Sequence, residues 1–316
     1  MRPVVAIVGP TAVGKTSLAL RLAEEIELEI INADALQVYR SLDLGTAKST
    51  PEEQARVRHH LVDILAPTET YSAGEFARRA RLAISDIHRR GRWGAVVGGS
   101  GLYVRALLEG ISPVPPGDPE VRRRLRERLQ EQGLPKLYEE LRESDPATAA
   151  KLAPGDTQRV LRALEVGLVS GRPLSRWIAS QPFGESRLPA VRLGLTLPRN
   201  ILYDRIFERV ARMVDGGWVE EVVGLLERGF SPESPAFQAI GYRQLARHVQ
   251  GEWSLDTAIR ETVTATRRFA KRQLTWFRKE ADILWWDARD LEGQISNILK
   301  HLRCRGFGRL DGQAQH

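Results

Sequence analysis

Residues 4–16 constrain this chain more than any other stretch. The apolar run Val4-Val5-Ala6-Ile7-Val8 leads directly into Gly9-Pro10-Thr11-Ala12-Val13-Gly14-Lys15-Thr16. Ser17-Leu18-Ala19-Leu20-Arg21-Leu22-Ala23-Glu24-Glu25 follows with helical spacing. A β-branched run, a G-x-x-x-x-G-K-T loop and a helix, in that order, predict a phosphate-binding P-loop. The glycines let backbone N–H groups converge on phosphate oxygens. The helix N-terminus adds positive potential at the same point. Lys15 supplies a mobile cation, and the Thr16 hydroxyl is the group that would hold Mg²⁺. The chain is therefore expected to bind a di- or triphosphate through Gly9–Thr16, whatever molecule carries it.

Further strand-like runs fall at residues 28–31, 61–65, 94–97 and 191–197, and residues 73–89 read as a helix. Strands alternating with helices predict an α/β fold, a P-loop NTPase-like core whose parallel sheet is flanked by helices. Ligands of such sheets lie beyond the carboxyl ends of the strands. The P-loop, Asp34 and Gly98-Gly99-Ser100-Gly101 are then expected to line one crevice. Pro113-Val114-Pro115-Pro116-Gly117-Asp118-Pro119 breaks the pattern. Residues 120–176 are helical in texture and densely charged, and a second break falls at Gln181-Pro182-Phe183-Gly184. From Leu202 the pattern is helical almost to Glu280, with turns near residues 229–235 and Gly251. The expected organisation is a P-loop core of residues 1–117 and 186–305, an all-helical insertion at 118–185, and a flexible tail at 306–316.

The 42% hydrophobic content suits a globular chain. No apolar run approaches a membrane span, and the N-terminal one is too short for a signal peptide. The single cysteine, Cys304, allows no internal disulfide and fits a reducing, cytoplasmic setting. A net charge of +7 points to a polyanionic partner. Only seven of the 47 basic residues are lysine; the remaining 40 are arginine, whose planar fork suits phosphate.

Several residues could carry chemistry. Asp34 ends the second strand beside the P-loop and reads either as a turn cap or as a carboxylate aimed at a substrate. Gln37 could read a base edge, because its amide both donates and accepts. Ser100 offers a hydroxyl in a loop whose glycines allow close backbone approach. On a helix, Arg267, Arg268, Lys271, Arg272, Arg278 and Lys279 share one face, while Ala265, Phe269, Leu274, Trp276 and Phe277 fill the other. Gln273 falls on that apolar face, an odd place for an amide unless it reaches a ligand. Arg159 and Arg162 share a face of the insertion, and Arg205 and Arg209 are spaced like a lid over phosphate. His59 and His60 point to opposite sides of a strand and are poor joint metal ligands. Two readings stay open at this level. One is a P-loop kinase of a small molecule, with Asp34 orienting the acceptor hydroxyl. The other is an enzyme that holds a pyrophosphate leaving group while modifying nucleic acid, which the basic helix and the insertion favour.

Taken in order, Gly9–Thr16, Asp34–Arg40, Gly45-Thr46-Ala47-Lys48, His59-His60-Leu61-Val62-Asp63, Gly98–Tyr103, Gln158–Val166, Gly241-Tyr242-Arg243-Gln244 and Ala270–Trp276 resemble the tRNA dimethylallyltransferases over nearly the whole length. The chain departs from the family pattern at Ala35-Leu36, where Ser-Met is usual, and at Ser100, where Thr is usual. The resemblance implies transfer of a dimethylallyl group from dimethylallyl diphosphate to N6 of adenosine 37, just 3′ of the anticodon, in tRNAs reading codons that start with U. It implies Mg²⁺ at Thr16 and a P-loop that grips the diphosphate with Arg205 and Arg209. It implies Asp34 as the base and Ser100 beside the reacting atoms. It places tRNA against Asp34, Ala35, Leu36, Gln37, Ser100, Arg122, Gln158, Arg159, Val160, Leu161, Arg162, Gly241, Tyr242, Arg243, Arg268, Lys271, Arg272 and Gln273. The expected enzyme works as a monomer, away from membranes.

Overall fold

The computed structural model describes residues 2–180 and 187–308. The break foreseen at Gln181–Gly184, the boundary at 185/186 and most of the foreseen tail lie outside those residues. The apolar runs of the sequence form a six-stranded sheet. β1 (Val4–Val8), β2 (Leu28–Asn32) and β4 (Trp93–Gly98) are buried at every position, as parallel strands covered on both faces must be. β3 (His59–His60), β5 (Ala190–Thr196) and β6 (Ile283–Asp287) complete it in the order β3-β2-β4-β1-β5-β6, every pair parallel. Val5 lies opposite Ala95 on one side and Val191 on the other, so the P-loop leaves the middle of the sheet.

In chain order the helices are α1 (Lys15–Ala23), α2 (Pro51–Arg56), α3 (Ala73–Arg89), α4 (Gly101–Glu109), α5 (Pro119–Ser144), α6 (Pro146–Ala149), α7 (Thr157–Ser170), α8 (Leu174–Ser180), α9 (Arg199–Asp215), α10 (Trp218–Glu227), α11 (Tyr242–Val249), α12 (Leu255–Phe277) and α13 (Leu291–Arg303). Local chemistry sets their starts. Thr50 and Glu53 form a reciprocal capping box on α2, and the Ser72, Asp118 and Ser254 side chains accept from the first turns of α3, α5 and α12. α1, like α9 and α10, begins with no side-chain cap, and at the P-loop this leaves the first N–H groups after Gly14 for a ligand.

The chain divides into two compact units, one of residues up to Leu108 and from Leu188 onward, the other Glu109–Arg187. The first holds the sheet. The second is wholly helical, and Leu125, Leu137, Leu141, Val160, Ala163 and Leu164 form its own core. Among the described residues no helix is long and apolar enough to cross a membrane.

Three local expectations differ from the structure. Residues 61–65 are not a strand: Leu61 and Asp63 take left-handed backbone angles, φ +63° and +55°, and the two-residue β3 precedes them. That turn sends the Asp63 carboxylate to Lys48 and its carbonyl to Arg40. The long helical stretch after Leu202 is broken at Gly217 (φ +99°), where α10 begins. And the sheet gains a strand, β6, whose partner Arg192–Thr196 lies far back in the chain.

Candidate active site

The P-loop geometry follows from its glycines. Gly9 holds φ +145°, and a Cβ there would sit 2.6 Å from the Leu195 carbonyl oxygen; Gly14 holds φ +103°. Only glycine takes such angles without strain. The Lys15 Nζ donates to the Pro10 carbonyl at 2.8 Å. Burial pulls its pKa down to about 8, with nearby Asp34 raising it and Arg209 lowering it. Arg209, from α9, donates to the Thr11 hydroxyl at 3.1 Å and is itself pulled down by burial.

Two cavities open beyond the strand ends. The first, about 770 Å³, is lined by the P-loop residues Thr11, Gly14, Lys15 and Thr16 and by Arg205, Arg209 and Arg212. The second, about 630 Å³, is lined mainly by apolar groups, among them Leu36, Ile206, Val210, Trp218 and Trp276, together with Ser100 and Gln273. Thr11, Ala12, Asp34, Thr46, Arg209 and Met213 line both. Asp34 therefore stands where the P-loop cavity meets an apolar one. Its Oδ1 accepts from the Leu36 N–H at 2.9 Å, so the turn-cap and substrate-facing readings coexist. The loop after β4 packs tightly beside it: a Cβ on Gly98 would lie 2.1 Å from the Ala33 carbonyl oxygen.

The RNA-facing expectations divide. Ala35 and Leu36 line the apolar cavity and Gln37 the phosphate cavity, but the Gln37 amide donates to the Thr46 and Ala47 carbonyls at 3.1 and 3.0 Å and braces its own loop. Arg268, Lys271 and Arg272 are exposed, and Arg272 lines the apolar cavity. Arg267 leaves the predicted face, its guanidinium lying over the Tyr203 ring at 5.0 Å. Gln273 lies on the apolar face as expected and lines the apolar cavity, but it is buried and its amide bonds to two loops. Tyr242 is a core residue, fully buried with its hydroxyl on Glu221, and buried Gly241 backs onto Trp218, leaving only Arg243 of the three exposed. In the insertion Gln158 and Arg159 are exposed, Leu161 is half-buried and Val160 is core; Arg122 and Arg162 are both tied to buried Glu165. These differences in exposure share one cause: spacing places a residue on an element, while packing decides whether its side chain is buried, paired or exposed.

Sequence reasoning missed Arg212 and Met213 in the cavity walls, although Arg212 is one more helical step along the Arg205–Arg209 row. His59 lines the phosphate cavity and bonds to the Val57 carbonyl through Nδ1, while His60 pairs with Glu29. Among the described residues no three acidic, histidine or cysteine side chains gather as a metal site. The Thr16 hydroxyl in a cavity built for phosphate still fits Mg²⁺, which takes few protein oxygens and completes its shell with phosphate and water.

A central P-loop, a facing carboxylate and an adjoining apolar cavity define a P-loop enzyme that holds a phosphorylated ligand against an acceptor. The chain belongs to the IPP transferase family, whose model matches residues 37–280. It is 48% identical to a tRNA dimethylallyltransferase of Syntrophobacter fumaroxidans over 94% of this chain and 87% of that one. It is 47% identical to a second, of Geobacter metallireducens, over 93% and 94%. The crystal structure of a tRNA isopentenylpyrophosphate transferase from Bacillus halodurans matches with a TM-score of 0.71 at 38% identity, covering 96% of this chain and 97% of that one. A eukaryotic dimethylallyltransferase acting on tRNA matches with a TM-score of 0.80 at 29% identity, covering 96% and 78%.

Proposed function

We propose that the two cavities divide the work of a prenyl transfer, the polar one holding the donor's diphosphate and the apolar one the acceptor base. The chain is an enzyme that transfers a dimethylallyl group to a tRNA adenosine. The finer reading places that adenosine at position 37, 3′ of the anticodon, in tRNAs for codons that start with U, with dimethylallyl diphosphate as donor. The bond from C1 to the diphosphate oxygen breaks as the bond from adenine N6 to C1 forms. Diphosphate leaves, and N6 gives up one proton.

Asp34 orients N6 and takes that proton. What supports this role is that Asp34 alone, among the carboxylates of the described residues, lines both cavities. Lys15, Arg209, Arg205 and the uncapped start of α1 stabilise the charge that grows on the leaving oxygen. Thr16 would hold Mg²⁺, which neutralises diphosphate charge when bound. Ser100 hydrogen-bonds beside the acceptor. The base reaches so recessed a cavity only if it is flipped out of the anticodon loop. The exposed Arg268, Lys271 and Arg272 grip the phosphates of the stem-loop. The insertion, running in this reading over 118–185 between core segments 1–117 and 186–305, grips it as well. The enzyme acts as a monomer in the cytoplasm, where an exposed free Cys304 stays reduced; light scattering that gives a dimer mass removes the monomer.

The deciding experiment incubates purified protein, Mg²⁺ and unmodified tRNA with dimethylallyl diphosphate or with ATP, and reads the nucleosides by mass spectrometry. An isopentenyl adduct at position 37 with the prenyl donor is the expected result. Phosphate transfer from ATP to a small molecule, with no adduct, returns the P-loop to a kinase.

A further inference from the structure

The Gln273 side chain sits on the apolar face of α12 and is only 5% exposed. Its two ends reach two different loops. The Oε1 atom accepts from the Thr11 backbone N–H at 2.8 Å, and the Nε2 atom donates to the Gly99 carbonyl at 3.0 Å. Thr11 belongs to the P-loop, and Gly99 precedes Ser100. These are the only hydrogen bonds of that amide among the described residues, and they join segments 262 and 174 residues away in sequence. The fit is tight, since a Cβ on Gly99 would meet Nε2 at 2.1 Å. Thr11 in turn receives Arg209 on its hydroxyl, so the same amide also fixes a cation of the phosphate cavity.

We infer that Gln273 is a positioning residue that sets the distance between the diphosphate loop and the acceptor loop, and so the alignment of the prenyl carbon with the adenine amine. The inference rests on the two-cavity prenyl-transfer reading above. The donor is held from Gly9–Thr16, the acceptor from the loop of Gly99 and Ser100, and bond formation needs the two reacting atoms within about 3–3.5 Å of each other. Backbone pairing of β1 with β4 ends at Val8 and Gly98, so it orders the strands but not the loops beyond them. One planar amide with a donor at one end and an acceptor at the other spans that gap. α12 also carries Arg268, Lys271 and Arg272 on its exposed side, which places the RNA-gripping row and this brace on one rigid element.

The test uses Gln273→Met, which keeps length and loses both hydrogen bonds, and Gln273→Glu. A protonated carboxyl offers one acceptor and one O–H donor, as the amide does, whereas the carboxylate faces the Gly99 carbonyl with no proton to give. Gln273→Glu should therefore regain function as pH falls. The apolar cavity around it also holds Asp34, Arg209 and Arg272, so wild-type enzyme at each pH is the reference. With wild-type adduct formation established first, failure of the overall reading is seen separately. The expected result for Gln273→Met is a kcat lowered roughly 10- to 100-fold, with tRNA Kd and melting temperature close to wild type. For Gln273→Glu, the kcat ratio to wild type should rise several-fold between about pH 8 and about pH 6. If Gln273→Met does not fold, the pH recovery of Gln273→Glu still decides. A kcat within about twofold of wild type, a ratio flat with pH, or a loss confined to tRNA affinity overturns the inference and makes Gln273 an ordinary core or RNA-contact residue.

Discussion

The helical insertion and α12 are both rich in arginine, and they use it in opposite ways. In the insertion seven arginines are neutralised at home. Arg123 pairs with Glu120 and Glu127, Arg124 with Glu120, Arg128 with Glu140, Arg142 with Glu139, and Arg159 with Asp156. Arg162 and Arg122 share the buried Glu165. On α12, Arg268, Lys271 and Arg272 are exposed with no carboxylate partner among the described residues. Exposed pairs contribute about 0–1 kcal/mol to stability and project little net field. A row of unpaired cations repels itself and is relieved by a polyanion. On the proposed tRNA-binding role, arginine content therefore overstates what the insertion offers to RNA and understates what the helix offers. The same contrast holds within the site, where Lys15, Arg205 and Arg209 line the P-loop cavity with no acidic partner in ion-pair contact among the described residues.

Where charge is unpaired, single substitutions should read out strongly. Asp34→Ala is expected to lower kcat by about 10²–10⁴-fold while tRNA Kd stays near wild type, measured in single turnover. An unchanged kcat removes Asp34 from the chemistry. Lys15→Ala should raise the KM for dimethylallyl diphosphate about 100-fold, because the variant loses the only lysine of the P-loop from a cavity lined for phosphate. Isothermal titration with inorganic diphosphate checks this directly, and wild-type affinity would falsify the P-loop assignment.

Where charge is paired, the effect should appear in stability instead. Glu165 accepts Arg122 at 2.6 Å, Arg162 at 2.7 Å and the Asp118 N–H at 2.9 Å, and it is 1% exposed. Glu165→Gln leaves two cations facing a neutral amide. We expect a loss of about 2 kcal/mol in urea unfolding, with kcat per folded enzyme unchanged. A fall in kcat without loss of stability would show that Arg122 and Arg162 act on RNA through Glu165 and would narrow the contrast.

The sequence disclosed what is local. The P-loop and the bounds of α3 depend on residues a few positions apart, so spacing and caps reveal them. β6 escaped because Ile283–Asp287 is a short, half-buried edge run that becomes a strand only by pairing with β5. Residues 61–65 read as a strand because most of them are apolar, whereas Leu61 and Asp63 take left-handed angles and Asp63 pairs with Lys48, far along the chain. At the site, Gln273 was visible as a misplaced amide, but its partners are distant in the chain. Tyr242 illustrates the converse, a motif residue whose ring belongs to the core. The acids three and four residues from Arg123, Arg124, Arg142, Arg159 and Arg162 were on view in the sequence, and weighing them would have discounted that part of the surface from the start.

The smallest expected effect is also the cleanest test of the contrast. Arg268 and Arg272 replaced together by Ala should weaken tRNA binding about 10-fold at moderate salt, roughly what two phosphate contacts contribute. The slope of log Kd against log salt should fall by about two. Arg123 and Arg124 replaced together remove the same formal charge from the insertion, yet each already faces a carboxylate. Their counterions are built in, so no salt ions are released when RNA arrives, and the slope should stay within about half a unit of wild type. Equal slope changes for the two pairs would mean that the insertion's ion pairs open on binding and hand their arginines to the RNA. In that case pairing in the free protein would no longer predict which cations reach phosphate.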